Sequence, residues 1–541
     1  MAGLISRVKG LISPEKSAPL SPHDAGGSNL RGRSEFMRGA GNAAGGMWRP
    51  ALREVSDDIG ASWEAATARA TDLVQNSGWI SGMFDQAVAN TVGSGLRLRA
   101  SPENDLFGMS EKDAQAWRND VERRWELYSR NPLECDLEGR RTVAEMQSAA
   151  FRSWLVTGEI LGEIGYRRRY GSRIGTKVRL MSSSRLSRRT DPLQRITNGV
   201  RLDRDGMPTG YLATRRDPLI GDYDVMVRAR DAYGRPRVIF IFQGLPGQVR
   251  GITPLVPVMK VAKQFDQLAD STLVAALIQT VFAANIQSDA PTEDAIQGLL
   301  TPQEYQKLVA EGVSPIEVWA ELQQGWYDGN VIDVGMNGRV VSTFPGQKLE
   351  FLSPEHPNTS YKEFATHLLR EIARCLGMTY ESATGDYTGA TYSSVRMAVE
   401  EIFPITKGRR DFIVAPFCQA IYEAWLEEQI ELGLISFPGG ISGFLNNRTA
   451  ACRALWLGAP KAQADNLKTA KAHQTYRDMG VITDAQIAND LGTDIEDVYA
   501  ERAREKKLRE QYGLPEPVSN IGHNGGPDDE KGEDKDDGKR S

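Results

Sequence analysis

The stretch "LLREIARCLGMTYESATGDYTGATYSSVRMAVEE", residues 368–401, decides how this 541-residue chain is read. Upstream of it, "SYKEFATHLLREIARCLG" sets Tyr361, Phe364, Ala365, Leu368, Leu369, Ile372, Cys375 and Leu376 on one helical stripe. Ser360 and Glu363 read as a capping box and Gly377 as the stop. Downstream, Val395, Ala398, Val399, Ile402 and Phe403 share a face of a helical run from Ser393 to Leu432, which Pro404 and Pro416 should kink or break. The join between the two helices is rich in glycine and hydroxyl groups. It contains no histidine, lysine or arginine, so it offers no catalytic set.

Working outward, residues 254–285 predict a long helix, with Thr253 able to cap it and Pro254 suited to its first position. Such a helix spans roughly 48 Å at ~1.5 Å per residue. Leu255, Val258, Val261, Leu268, Leu273, Leu277, Val281 and Phe282 make it apolar nearly all round, the pattern of a helix buried on several sides by copies or neighbours. Residues 287–357 mix a short helix with turns and strands and read as a small α/β insertion. Toward the N-terminus, helices are expected over 54–76, 78–91, 110–130 and 142–157. There follow short β-branched or alternating runs, "EILGEIGYRRR", "KVRLMSS", "GVRLDRDGMPTGYLATRR", "YDVMVRA" and "RVIFIFQ", the pattern of a meander or hairpin sheet. Residues 461–512 return to helix. The fold class is α+β, predominantly helical.

A chain of this length exceeds the ~250–300 residues at which single cores stop growing, so several packed units are expected. Hydrophobic content of 40% and charged content of 25% are those of an ordinary soluble protein. The longest apolar run, "LVAALIQTVFAANI" (273–286), is shorter than the ~20 residues a bilayer needs, and the N-terminus lacks a secretory pattern. No membrane span is expected, and the protein should stay in the cell that makes it. Cys135, Cys375, Cys418 and Cys452 are far apart and read as reduced thiols.

Net charge is −6 but unevenly spread. Residues 1–53 hold eight Lys/Arg against three acids and read as a flexible basic arm, while the tail 516–541 is acidic and of disordered composition. Between Arg167 and Arg189 lie nine basic residues and no acid. These either form a solvated surface, pair with acids elsewhere, or contact nucleic acid.

A search for chemistry finds no phosphate-cradling GxxxxGK[ST] loop, no GxSxG elbow and no metal-binding spacing among His23, His356, His367, His473 and His523. The cysteines have no arguable neighbouring base, and Cys375 belongs to the core stripe. No catalytic, cofactor-binding or metal residue is assigned, and the chain does not read as an enzyme.

The join at 368–401 resembles the most recognisable part of the lambda-type bacteriophage portal protein family. The resemblance continues in order through "ANTVGSGLRLRA" (89–100), "SWLVTGEI" (153–160), "GVRLDRDGMPTGYLATR" (199–215), "PGQVRGITPLVPVM" (246–259), "GRRDFI" (408–413) and "NLKTAKAHQTYRDMGVIT" (466–483). It covers residues 60–515, and the order and spacing of the segments carry it rather than any single motif.

The resemblance implies a portal fold assembled as a ring, typically of twelve subunits, at one capsid vertex of the virion. Double-stranded DNA is packaged and ejected through it, and the ring nucleates procapsid assembly in the host cytoplasm. It further implies a wing at 54–250 with long helices at 393–460, stem helices at 251–286 and 358–377, a clip at 287–357, a channel loop at 378–392 and a crown at 461–515. Implied partners are the terminase large subunit, which carries the ATPase, the major capsid and scaffold proteins, and a head–tail connector.

On this reading Gly385, Asp386, Tyr387, Thr388, Gly389, Thr391 and Tyr392 face DNA, with glycine mobility, weak hydroxyl contacts and repulsion from Asp386. Twelve copies at −6 each would carry −72 and repel DNA except where cations are placed. Lys260 and Lys263 on the first stem helix are candidates for such placement, or else they form ion pairs between stem helices. The alternative function is a DNA-processing nuclease of a mobile element, which would require clustered metal-binding acids.

Overall fold

The structure is a computed structural model that describes residues 54–217, 219, 221–280, 284–288, 301–312, 320–321, 324–326, 347–351, 360–458, 460, 466–493 and 495–515. Helix α1, Val55–Asn76, buries Ile59, Trp63, Ala66, Ala70 and Leu73, an alternating four-three spacing that keeps one stripe inward. Helix α2, Gly78–Thr91, buries Ile80, Met83, Phe84, Ala87 and Thr91. Gly93 and Gly95 have positive φ and turn the chain into β1, Arg97–Ala100, which pairs antiparallel with β11, Ala454–Leu457. Helix α3, Glu111–Ser129, is capped by Ser110, and α4, Pro132–Cys135, by Asn131. Helix α5, Val143–Thr157, starts with a Thr142–Glu145 capping box.

Gly158 ends α5 at φ 80°. A Cβ there would lie 2.2–2.3 Å from the backbone of Ile252, so only glycine lets the strand after α5 touch the chain that enters the long helix.

The strand-rich region divides into two sheets. In one, β2 (Glu159–Tyr166) is central, flanked by β3 (Thr176–Met181) and β8 (Val238–Phe242). In the other, β4 (Ile196–Thr197), β5 (Val200–Leu202), β6 (Pro208–Asp217) and β7 (Gly221–Arg228) form a meander. The expected meander is therefore the second sheet, while β8 leaves it and returns to β2, where Ile239 is buried with Ile160 and Ile164.

Thr253 accepts from the Leu255 amide at 3.1 Å and donates to Leu155 O at 2.8 Å, anchoring the entry to the long helix. A 3-10 turn, Val256–Val258, leads into α6, Met259–Thr280. This helix is shorter than the expected 254–285. Residues 284–288 form β9, Ala284–Ser288, which pairs with β10, Gln347–Phe351, so that Ile286 faces Leu349. Period-two pairing with a distant strand wins there over a helical apolar run, an ambiguity that a short apolar segment cannot settle alone. Of the apolar residues expected to be buried by copies or neighbours, the side chains of Leu277, Val281 and Phe282 lie outside the described residues. Leu255, Val258, Ala262 and Phe265 are buried, but Leu273 and Val274 are exposed. Inside the insertion, α7, Pro302–Ala310, has a Thr301–Glu304 capping box.

Helix α8, Ser360–Leu376, buries Ala365, Leu368, Leu369, Ile372, Ala373 and Leu376, close to the expected stripe, while Phe364 is exposed. The helix begins at Ser360, whose side chain lies outside the described residues, as does the expected capping box with it. Gly377 ends the helix at φ 70°. A short helix α9, Tyr380–Thr384, follows, then α10, Tyr392–Arg409, a π-helical turn at Arg410–Val414, and α11, Ala415–Glu431. The run 392–431 is continuous through both prolines. Pro404 sits on the exposed side, and Pro416 falls just after the π turn, whose wider register has already displaced the hydrogen-bond ladder. That turn places buried Arg410 where it donates to Thr91 O (3.1 Å) and Asn90 O (3.4 Å), a cation at the C-terminus of α2.

One core joins these elements. Phe417, Cys418, Ile421, Tyr422, Trp425 and Leu426 of α11 pack with Trp125 and Tyr128 of α3 and with Phe151 and Trp154 of α5. Trp125 meets Trp425 edge-on at 5.3 Å and Trp456 of β11 at 5.8 Å. Each such aromatic contributes about 1.5–3 kcal/mol by burial. Beyond them lie α12 (Asn466–Asp478), α13 (Asp484–Asp490) and α14 (Ile495–Tyr512), of which α14 buries no residue.

Candidate functional site

The chain leaving α8 and the chain entering α6 lie at one end of the helix pair, because Cys375 Sγ donates to Pro254 O at 3.0 Å. From there α9 and the loop 385–391 lead to α10. Thr379 caps α9 by accepting from the Ser382 amide at 3.0 Å. Thr384 Oγ1 donates to Tyr380 O at 2.8 Å and accepts from the Asp386 amide at 3.2 Å. Asp386 Oδ1 then accepts from the Thr388 amide at 2.9 Å, closing an Asx turn, and Tyr380 donates to Oδ2 at 3.4 Å. Hydrogen bonds from Thr388, side chain and amide, hold the Asp386 carboxyl below its usual range, with Lys362 and Tyr380 helping. The Ala390 amide donates to Tyr387 O at 3.0 Å. Thr391 caps α10, its Oγ1 accepting from the Ser394 amide at 3.3 Å.

Gly385 and Gly389 sit at φ 70° and 76° with open space around them. Their part is to make the turns, since the left-handed region costs an L side chain ~1–2 kcal/mol. Tyr387, Thr388 and Gly389 are exposed. No Lys or Arg occurs from Cys375 to Val395, so the whole connection presents hydroxyls, amides and the carboxylates of Glu381 and Asp386. Cations stand just outside it. Arg374 bridges to Glu401 at 2.8 Å, Arg370 lies over the Tyr380 ring at 5.1 Å, and Arg409 donates to Leu376 O and lies over Trp154 at 5.6 Å.

Lys260 and Lys263 are both exposed on the first turns of α6, and neither has an ion-pair partner among the described residues. The structure thus puts them on the helix that packs beside α8, with no hydrogen bond or ion pair to the loop among the described residues.

A buried ion pair was not foreseen from the sequence. Glu159, the first residue of β2, receives Arg250 Nε at 2.6 Å, Arg250 Nη2 at 3.0 Å and the Gly251 amide at 2.8 Å. Burial pushes the Glu159 carboxyl up, opposed by the hydrogen bond and charge of Arg250 and by the Gly251 amide. Arg250 also donates to Asn198 O at 3.0 Å and lies over the Trp63 ring at 4.9 Å. One guanidinium therefore ties α1, both sheets and the entry to α6. The only sequence signal was an acid inside the apolar run "TGEILGEIG" and an arginine in "GQVRGITP", with nothing to pair them.

The described residues hold no cluster of His, Cys, Asp and Glu able to bind a metal, and no described helix is long and apolar enough to cross a membrane. All four cysteines are free, and burial pushes their thiols up, Cys135 to about 12. Such thiols are poor nucleophiles at neutral pH. His367 is exposed on α8.

The family described as phage portal protein, lambda family, matches residues 42–410. A portal protein of Escherichia phage N15 is 26% identical over 504 residues, covering 91% of this chain and 94% of that one. Portal protein B of Escherichia phage lambda is 25% identical over 493 residues, covering 89% and 91%. Among solved structures, the neck of an empty gene transfer agent particle computed with C6 symmetry aligns at TM-score 0.41 and 14% identity over 79% of this chain and 93% of that chain. A portal protein of the HK97 family from Corynebacterium diphtheriae aligns at TM-score 0.29 and 12% identity, over 66% and 89%.

Proposed function

Since the chain belongs to the lambda family of phage portal proteins, we propose that it assembles into a ring of twelve copies through which double-stranded DNA enters and leaves the capsid. The connection between α8 and α10 lines the narrow part of the channel. The observation that supports this is the loop itself, a hydroxyl-rich, cation-free surface tied off by its own hydrogen bonds. A wall past which DNA slides must not hold phosphates, because each Lys or Arg contact adds counterion-release affinity and becomes a local trap. Asp386 carries a negative charge at neutral pH, its carboxyl held below the usual range by the Thr388 bonds, and Thr388, Gly389 and Thr391 present weak, interchangeable polar contacts. Exposed Tyr387 supplies bulk, while the side chain of Tyr392 lies outside the described residues. Lys260 and Lys263 would be the deliberate cations further along the stem.

In this reading residues 251–286 and 358–377 form the stem, 287–357 a clip that docks the terminase large subunit, 54–250 and 393–460 the wing, and 461–515 the crown. The protein acts as a conduit and docking ring without an enzymatic step of its own. It nucleates the procapsid in the host cytoplasm with capsid and scaffold proteins, and later joins the head–tail connector in the virion. The test is a packaging assay with Asp386→Lys/Thr388→Lys. Rings should form normally while packaging slows or stalls; packaging at the unaltered rate removes the loop from the mechanism.

A further inference from the structure

Of the nine basic residues between Arg167 and Arg189, most are already occupied. Arg169 donates to Leu133 O (3.3 Å) and Leu137 O, buried Lys177 to Leu133 O (2.7 Å) and Glu134 O (2.8 Å). Arg179 pairs with Glu163, Arg188 with Glu64 and Arg189 with Asp191. Apart from half-buried Arg185, what remains is the tip of the β2–β3 hairpin, "YRRRYGSR" (166–173), where Arg167, Arg168 and Arg173 are exposed and have no ion-pair partner among the described residues. Tyr166 and Tyr170 are exposed among them, and Arg168 lies over the Tyr166 ring at 5.8 Å while its Nε donates to the hydroxyl at 3.0 Å. Glu134 accepts a hydrogen bond from the Ser172 hydroxyl.

The tip buries almost nothing of its own, yet it is held firmly. Buried Glu428 of α11 accepts the amides of Gly175 (2.6 Å) and Thr176 (2.8 Å), the Arg167 amide donates to Gly175 O at 2.6 Å, and Arg169 and Lys177 tie it to α4. A rigid mount for three unpaired guanidinium groups and a free tyrosine hydroxyl is a surface organised for a polyanion.

We propose that this hairpin tip binds the phosphate backbone of duplex DNA without sequence preference. Arg167, Arg168 and Arg173 make the ionic contacts and the Tyr170 hydroxyl a hydrogen bond. It rests on the portal reading only for the identity of the polyanion; the interleaving of arginine and tyrosine without aliphatic side chains favours nucleic acid over an acidic protein. The site is distinct from the channel loop, which is free of cations.

The test uses the full chain and a labelled duplex of about 12 base pairs, short enough to report on single tips, titrated by anisotropy from about 50 to 200 mM salt. Loss of three phosphate contacts in Arg167→Gln/Arg168→Gln/Arg173→Gln should lower the slope of log K against log salt by about 2.7 in magnitude. Arg188→Gln, which removes a paired cation, should leave it unchanged. An unaltered slope in the triple variant, or labelled polyglutamate binding as tightly as DNA at equal charge, overturns the proposal. Light scattering on the same samples reads the ring separately, so a tip that binds DNA on a protein that forms no ring would sink the portal assembly and spare this site.

Discussion

Asp386 shows how a single residue combines structure and charge. Its carboxylate closes the Asx turn onto Thr388, and those bonds depress its pKa. A carboxyl whose folded pKa lies below its unfolded value stabilises the fold above the unfolded pKa, and that contribution is lost as pH falls through the depressed value. The difference in melting midpoint between the wild type and Asp386→Ala should accordingly be present at neutral pH and vanish on acidification below the ordinary carboxylate range. A difference independent of pH would mean that the charge does not hold the turn. Arg250 is the opposite case, fully enclosed with Glu159. Replacing it with Met leaves a buried carboxylate unpaired and should cost about 3–5 kcal/mol, whereas Glu159→Met/Arg250→Met should cost less than that single change. Urea unfolding of both variants decides this. Neither role was legible in the sequence. The loop's composition was visible, but which oxygen accepts which amide depends on the turn, and Glu159 and Arg250 stand 91 positions apart with no pattern to join them.

Elements were read more easily than their ends and partners. Stripes such as Ile59–Leu73 and Ala365–Leu376 have a helical period that the core enforces, so α1, α2, α3, α5 and α8 lie where periodicity puts them. The sequence could not reveal that 284–288 leaves the helix, because its partner strand lies some sixty residues away. Nor could it reveal the π turn that precedes Pro416 and sets Arg410 against the end of α2. At the far end of the loop, Thr391 caps α10. Thr391→Ala should cost about 1 kcal/mol and lower hydrogen-exchange protection at residues 394–396 by roughly fivefold; unchanged protection would show that the cap does not hold the first turn.

At the scale of the whole molecule, one copy leaves apolar surface that its own fold does not cover. Leu273 and Val274 on α6 and Phe364 on α8 are exposed, and α14 buries nothing. In the proposed ring, neighbouring copies would supply the missing cover. Leu273→Glu/Val274→Glu should then keep the subunit folded by circular dichroism while shifting its mass distribution toward smaller species, and rings at the wild-type yield would rule out this face as a contact. The ring itself is the central claim, and electron microscopy of the purified protein combined with mass by light scattering tests it most directly. Rings with a central hole and a mass near twelve times 59.6 kDa are expected. A mass of one chain, both alone and with the scaffold protein present, would contradict that claim.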